Sequence, residues 1–208
     1  MGYYFLKKII EDQTQNALNV YVQKTFYSPM GLTTMGYKPM ARFELDRIPP
    51  TELDAKFRKQ LVHGDVHDQG AAMLGGVGGH AGVFSDANDL GVLMQMYLNK
   101  GEYGGVRYID SSTVKEFTKC QYCINNRRAI GFDKPEISKE KESPVCDCVS
   151  YLSFGHAGFT GTLAWADPQN QLVYIFLSNR VFPDADDNKL AKSGIRTKIQ
   201  QVIYDVVK

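Results

Sequence analysis

The chain has 208 residues, 24 Lys and Arg against 23 Asp and Glu, and a formal net charge of +1. That balance, with no cluster of Lys and Arg, argues against a nucleic-acid partner. The 43% apolar content is that of a folded chain, and the length suffices for one sizeable domain with its own core. No apolar run reaches the length of a membrane span, and no leader is legible where Met1-Gly2-Tyr3-Tyr4 runs into amphipathic periodicity.

Taken in order, Gly2 to Gln13 has helical spacing, with Phe5, Leu6, Ile9 and Ile10 on one face and Lys7, Lys8 and Glu11 off it. Asn16 is placed to cap a second helix, Ala17 to Phe26, with Leu18, Tyr21 and Val22 inward. Ser28-Pro29-Met30-Gly31-Leu32 stops it. Residues 36–70 read as a loop-rich, mixed-charge solvated surface. The run from Leu74 to Phe84 is too rich in glycine for ordinary helix. No strand precedes it, so a dinucleotide-type phosphate cradle is not expected. Ser85-Asp86 caps the next helix, whose apolar face is Leu90, Leu93, Met94 and Tyr97 and whose end is Gly101.

Asp110-Ser111-Ser112-Thr113 reads as the cap of a short helix to Thr118. His67, His80 and His156, with Asp65 and Asp68, invite a metal reading. Their spacing is not that of a helical ligand pair, and structural roles are expected for His67 and His80. Cys120-x-x-Cys123 and Cys146-x-Cys148 bracket a charged loop, 125–145. Free thiols, disulfides and a zinc knuckle are all open for them.

Ser153 to Thr162 opens the most strand-like region. Leu163-Ala164-Trp165-Ala166 and Leu172 to Leu177, separated by Asp167-Pro168-Gln169-Asn170, read as adjacent antiparallel strands. Glycines beside His156 let a ligand approach the strand edge closely. At the end, Lys189 to Val207 carries Leu190, Ile195, Ile199, Val202, Ile203 and Val206 at helical spacing, which reads as a core-facing stripe.

Gly155-His156-Ala157-Gly158-Phe159-Thr160-Gly161, with Asp167-Pro168 and Leu177-Ser178-Asn179-Arg180, resembles the third active-site motif of the serine β-lactamase and penicillin-binding-protein superfamily. The resemblance is to its class C-like and esterase-like branch, where His often stands for the Lys of Lys-Thr-Gly. Ser28 to Leu32 followed by Thr33 or Thr34, Gly79 to Leu90, and Arg127-Arg128-Ala129-Ile130-Gly131-Phe132 resemble further family segments. The last of these is similar to the strand that enters the sheet beside the third motif.

The resemblance implies an α+β fold, an antiparallel sheet packed by helices, and acyl-enzyme chemistry in which an activated serine attacks an acyl carbonyl. On it, His156 would hold a substrate carboxylate or shuttle protons, and the Phe159 N–H would be one of two oxyanion donors. Ala157, Gly158 and Thr160 would line the substrate. Ala157 lacks the hydroxyl usual at its position, and Gly158 lets the strand lie against the acyl group. No cofactor and no metal are implied.

The family's Ser-x-x-Lys and Tyr-x-Asn motifs are expected upstream of Met1. Ser112-Thr113-Val114-Lys115 has the bare first spacing but sits at a helix cap. Residues 1–208 are therefore expected to be the C-terminal portion of a β-lactamase-like domain, inactive alone, in the periplasm or cell envelope. The substrate would be a β-lactam, a D-Ala-D-Ala peptide or an ester, a small or peptidoglycan-derived molecule. The competing reading is a non-catalytic module binding peptidoglycan or a partner. A related one is an accessory domain following a family 3 glycoside hydrolase in a cell-wall β-N-acetylglucosaminidase. An open sheet edge would invite self-association.

Overall fold

The computed structural model describes residues 1–123, 126–138 and 141–207. Of the loop 125–145, positions 125, 139 and 140 lie outside them. The chain forms two units. One is Met1–Asp89 with Asn179–Asp187, and the other is Leu90–Ser178 with the chain from Asn188 on.

In the first unit, helix α1 (Gly2–Thr14) leads to α2 (Leu18–Val22), which widens into a π turn over Gln23–Tyr27. Asn16 does not cap α2. Its side chain donates to Thr14 O, and the Leu18 N–H is taken by the Glu11 carboxylate of α1 at 3.0 Å. This bond, with Lys7 Nζ donating to Val77 O at 2.9 Å, sets the rotation of α1. Lys7, Ile10, Glu11 and Thr14 are the half-buried positions, while Phe5, Leu6 and Ile9 face outward. The expected apolar face is thus overturned at three of its four residues, because polar anchors on the opposite side decide which way the helix turns.

Residues 36–70 are more ordered than a solvated loop. Strand β1 (Gly36–Tyr37) pairs antiparallel with a later strand, Val83–Phe84, and β2 (Glu52–Asp54) pairs with β3 (Gln60–Val62) as a hairpin. The hairpin turn is tied by the buried Asp54 carboxylate, which accepts the N–H groups of Lys56, Phe57 and Arg58. Helix α3 (Gln69–Met73) is capped by Asp68, which accepts from Ala71 N at 2.7 Å. His67 faces Glu52 and His80 faces Asp68, each at 2.8 Å, and Tyr4 stacks on His80. Both histidines thus pin loops, as structural histidines do. After the glycine run, β4 (Val83–Phe84) leads to α4 (Ala87–Leu98). In its first turn the buried Asp89 accepts from Thr34 N, Thr34 Oγ1 and Met35 N.

In the second unit, a small hairpin, β5 (Glu102–Tyr103) with β6 (Val106–Arg107), precedes α5 (Ser111–Thr118). The sulfurs of Cys120 and Cys123, and of Cys146 and Cys148, are paired as disulfides. The main sheet has order β7-β8-β9 (Phe154–Ala157, Leu163–Asp167, Leu172–Phe176), all antiparallel. His156 pairs with Ala164, and Ala164 with Ile175. Alternation along β8 sends Ala164 and Ala166 to one face and Leu163 and Trp165 to the other. The first face packs with Met94 and Leu98 of α4 and with Phe132 and Phe154. The second packs with Val145, Tyr174 and Ile203. The fold is α+β, as the sequence implies.

The segment Arg127–Phe132 is not a full strand beside β7. It folds into a tight turn, with Ala129 N donating to Phe132 O, and only Asp133 bridges to Gly155, by main-chain bonds of 2.7 and 3.1 Å. The C-terminal helix is broken at Gly194, left-handed at φ 60°, into α6 (Lys189–Ser193) and α7 (Ile195–Val207). Its apolar stripe is mostly not core. Ile195, Ile199, Val202 and Val206 are exposed, whereas Gln200 and Tyr204 are buried. Polar bonds again set the rotation: Gln200 Oε1 accepts from Cys146 N, and the Tyr204 hydroxyl donates to Asp167.

Candidate functional site

The third-motif residues gather at the end of β7 and in the turn joining it to β8. Gly155 is glycine because any Cβ there would strike Ala164 O and the Trp165 ring on β8. The missing side chain draws β7 close enough for the ladder to hold, and alternation then puts His156 on the face of Phe154 and Ala164, where it is exposed. Ala157 is half-buried and packs on the second face.

The turn 158–162 is closed by Gly158 N to Thr162 O at 2.8 Å and Gly161 N to Gly158 O at 3.0 Å. A Cβ on Gly158 would meet Thr162 Oγ1, so its glycine makes room first for a residue of its own turn. Ser178 Oγ donates to Gly161 O at 2.9 Å and pins the turn to the segment after β9. Phe159 projects from its tip with 63% of its surface exposed, and Thr160 beside it is half-buried. His156, Ala157, Gly158, Phe159 and Thr160 therefore form one continuous edge and turn.

Four charged residues stand beside this edge: Arg127 and Arg128, from the segment similar to the family's entering strand, and Asp133 and Lys134, which the sequence did not single out. Asp133, 3% exposed, takes Arg127 Nη1 at 3.0 Å on one oxygen and Arg128 Nη1 on the other. Arg128 Nη1 also lies 3.5 Å from His156 Nε2, and His156 Nδ1 lies 2.8 Å from Ala157 O. Lys134, next in sequence, is buried, with Nζ donating to Leu152 O at 3.0 Å. Burial lowers its ammonium from the usual 10.5 to about 8, against the attraction of Asp167. The run Arg127-Arg128 followed by Asp133-Lys134 was a visible signal, since alternating charges around a short apolar turn suit a paired cluster.

Ser112 and Lys115 lie exposed on the short helix α5, Ser112 in its first turn; the N-cap is Asp110, and its side chain makes no capping bond. The bare Ser-x-x-Lys spacing also recurs at Ser138 and Lys141, overlooked in the sequence reading, with 139 and 140 outside the described residues. In the first unit, a separate cavity of about 490 Å³ is lined by Lys38, Met40, Arg58, Asp65, Val66 and Phe84, among others. It contains none of the third-motif residues. Among the described residues no group of three His, Cys, Asp or Glu is placed to hold a metal ion.

A family model described as Beta-lactamase matches residues 1–196. The chain belongs to the beta-lactamase family. A Salmonella typhi protein, provisionally named as a D-alanyl-D-alanine carboxypeptidase, is 36% identical over 193 residues, covering 86% of this chain and 44% of the relative. The relative from Salmonella newport matches to the same extent. This beta-lactamase family chain thus spans less than half the length of the curated relatives it matches.

Among solved structures, a β-lactamase from Mycobacterium bovis superposes with TM-score 0.64 at 16% identity, over 99% of this chain and 62% of that one. A penicillin-binding-protein homologue from Caulobacter crescentus gives TM-score 0.57 at 18% identity, over 85% and 50%. These likenesses establish the beta-lactamase-like α+β fold.

Proposed function

We propose that this chain is the third-motif portion of a serine hydrolase that works through an acyl-enzyme on a peptidoglycan peptide ending in D-Ala-D-Ala, in the cell envelope. The observation that carries the reading is the β7 edge. An exposed imidazole and a tight glycine turn stand together there on a sheet packed on both faces, within a chain whose curated relatives bear a carboxypeptidase name. In this reading the edge lies along the bound acyl group. His156 serves the substrate carboxylate or a proton transfer, the Phe159 N–H is an oxyanion donor, and Ala157, Gly158 and Thr160 line the substrate. A β-lactam or a small ester would use the same geometry.

The nucleophilic serine and its lysine come from sequence upstream of Met1, which makes this chain inactive alone. Three features support such a completion. The apolar residues Phe5, Leu6 and Ile9 of α1 face outward, as do Ile195, Ile199, Val202 and Val206 of α7. Among the described residues, β9 pairs on one side only. An open strand edge would also support self-association of the chain.

The test is acylation. A fluorescent penicillin and a fluorophosphonate, each read by intact mass, should leave no adduct on residues 1–208. They should label a longer reading frame that carries Ser-x-x-Lys. An adduct on the 208-residue chain would overturn the proposal.

A further inference from the structure

The cavity of the first unit, about 490 Å³, falls within the range of about 300–1,000 Å³ usual for small-molecule sites. Its apolar wall includes Met40, Val66 and Phe84, and its charged wall is Lys38, Arg58 and Asp65. None of these three charges forms an ion pair among the described residues. Lys38 and Asp65 are exposed, and Arg58 is half-buried. The Nη2 atom of Arg58 donates to Val66 O at 2.8 Å and to His67 O at 3.0 Å, which fixes the guanidinium on the wall. Its Nη1 is buried and has no partner among the described residues. Asp54, on the turn that carries Arg58, offers no relief, since its carboxylate is committed to the N–H groups of Lys56, Phe57 and Arg58.

The main chain of the same wall carries a second unmet demand. Gly64 is buried beneath Met40, whose Sδ a Cβ at this position would strike. Among the described residues, neither its N–H nor its C=O makes a hydrogen bond. Buried polar groups are nearly always paired, and an orphan marks a place where water, an ion or a ligand supplies the missing bond.

The signs of the three charges restrict that ligand. A simple anion would meet Asp65, and a simple cation would meet Lys38 and Arg58. A molecule that carries both charges on an apolar body answers all three.

We propose that this cavity binds a small zwitterion of the α-amino-acid type with an apolar side chain. Its carboxylate pairs with Arg58 and Lys38, where a guanidinium fork and an ammonium suit two oxygens. Its own ammonium, a donor of three N–H bonds, pairs with Asp65 and reaches the Gly64 carbonyl. The side chain lies on Met40, Val66 and Phe84. No residue of the β7 edge takes part, so the proposal and the acyl-transfer reading stand or fall separately.

The test is a titration of the 208-residue chain with L-leucine and with D-leucine, followed by 1H–15N NMR. At least one enantiomer should give saturable shifts at the amides of Gly64 and Gly76, which line the cavity. Leucinamide, which lacks the carboxylate, and 4-methylpentanoate, which lacks the ammonium, should each bind about tenfold or more weakly. Asp65→Asn should weaken leucine about tenfold and leave 4-methylpentanoate no weaker. Lys38→Met should weaken leucine and leave leucinamide unchanged. Both positions are exposed, so the variants should keep the fold of the parent. No saturable shift at Gly64 and Gly76 with either enantiomer, or shifts confined to residues 155–160, would overturn the proposal. So would a one-charge analogue that binds as tightly as leucine, or leucine affinity unchanged in Asp65→Asn.

Discussion

The Tyr204 hydroxyl of α7 donates to Asp167 Oδ2 at 2.9 Å, joining the last helix to the end of the central strand. Asp167 is fully buried. It also accepts from Ser150 N at 2.8 Å, Ser150 Oγ at 2.5 Å and Asn170 Nδ2 at 2.8 Å. Burial pushes its carboxyl up, but the bonds from Ser150, Asn170 and Tyr204 outweigh this and hold it below the ordinary value of 3.8. Asp167→Asn sets an amide N–H against these donors. It should cost on the order of 3 kcal/mol in urea unfolding at neutral pH. Because the folded-state pKa is depressed, the carboxylate's contribution is present above the unfolded value and lost as pH falls through the folded one. The variant should therefore show a flatter acid limb than the parent.

Lys134 gives a slope of opposite origin. The unfolded chain keeps this proton up to about pH 10.4, while the folded chain releases it near 8. Between these values the unfolded state binds more protons, so stability rises with pH, by at most about 1.4 kcal/mol per unit. Buried tyrosines such as Tyr97 and Tyr174, raised by burial, oppose this near the top of the range. The difference between parent and Lys134→Met, measured by denaturant unfolding from about pH 7 to pH 10, isolates the lysine. The parent should gain on the variant across that interval, and a parallel pair of curves would contradict the assigned burial.

Gly155→Ala should break the β7–β8 ladder, because the new methyl meets Ala164 O and the Trp165 ring. A loss of about 2–4 kcal/mol is expected from overpacking together with lost strand pairing. Trp165 is the single tryptophan, so its fluorescence should report the change directly.

On α1, Ile9→Gln should leave thermal stability within about 0.5 kcal/mol, as an exposed substitution does. Glu11→Ala should cost about 1 kcal/mol, the worth of a lost cap, since its carboxylate serves the first turn of α2. The reverse ranking would mean that α1 presents its apolar face inward.

Much of the second unit was legible in the sequence. Short apolar runs on either side of the Asp167-Pro168-Gln169-Asn170 turn place β8 and β9, and the glycines beside His156 mark the turn. Asp86 caps α4 as its position suggests, accepting from Asp89 N at 2.8 Å. What escaped was long-range polar pairing. Nothing local marks Glu11 as the acceptor for Leu18 or Asp89 as the anchor of Thr34. Periodicity measures how apolar each side of a helix is, and it is blind to a single buried hydrogen bond that fixes the helix's rotation. The site was readable for the same reason in reverse: its residues are consecutive, and one strand edge delivers them together.

The outward stripes of α1 and α7 carry a consequence for evolution of this chain in isolation. A saturation library selected only for folding of residues 1–208 should invert the usual rule on these two helices. Polar positions such as Glu11, Gln200 and Tyr204 would tolerate little, while Phe5, Ile9, Val202 and Val206 would drift freely. Retention of apolar residues at those four positions under selection for activity would then record a contact that folding of this chain alone does not require.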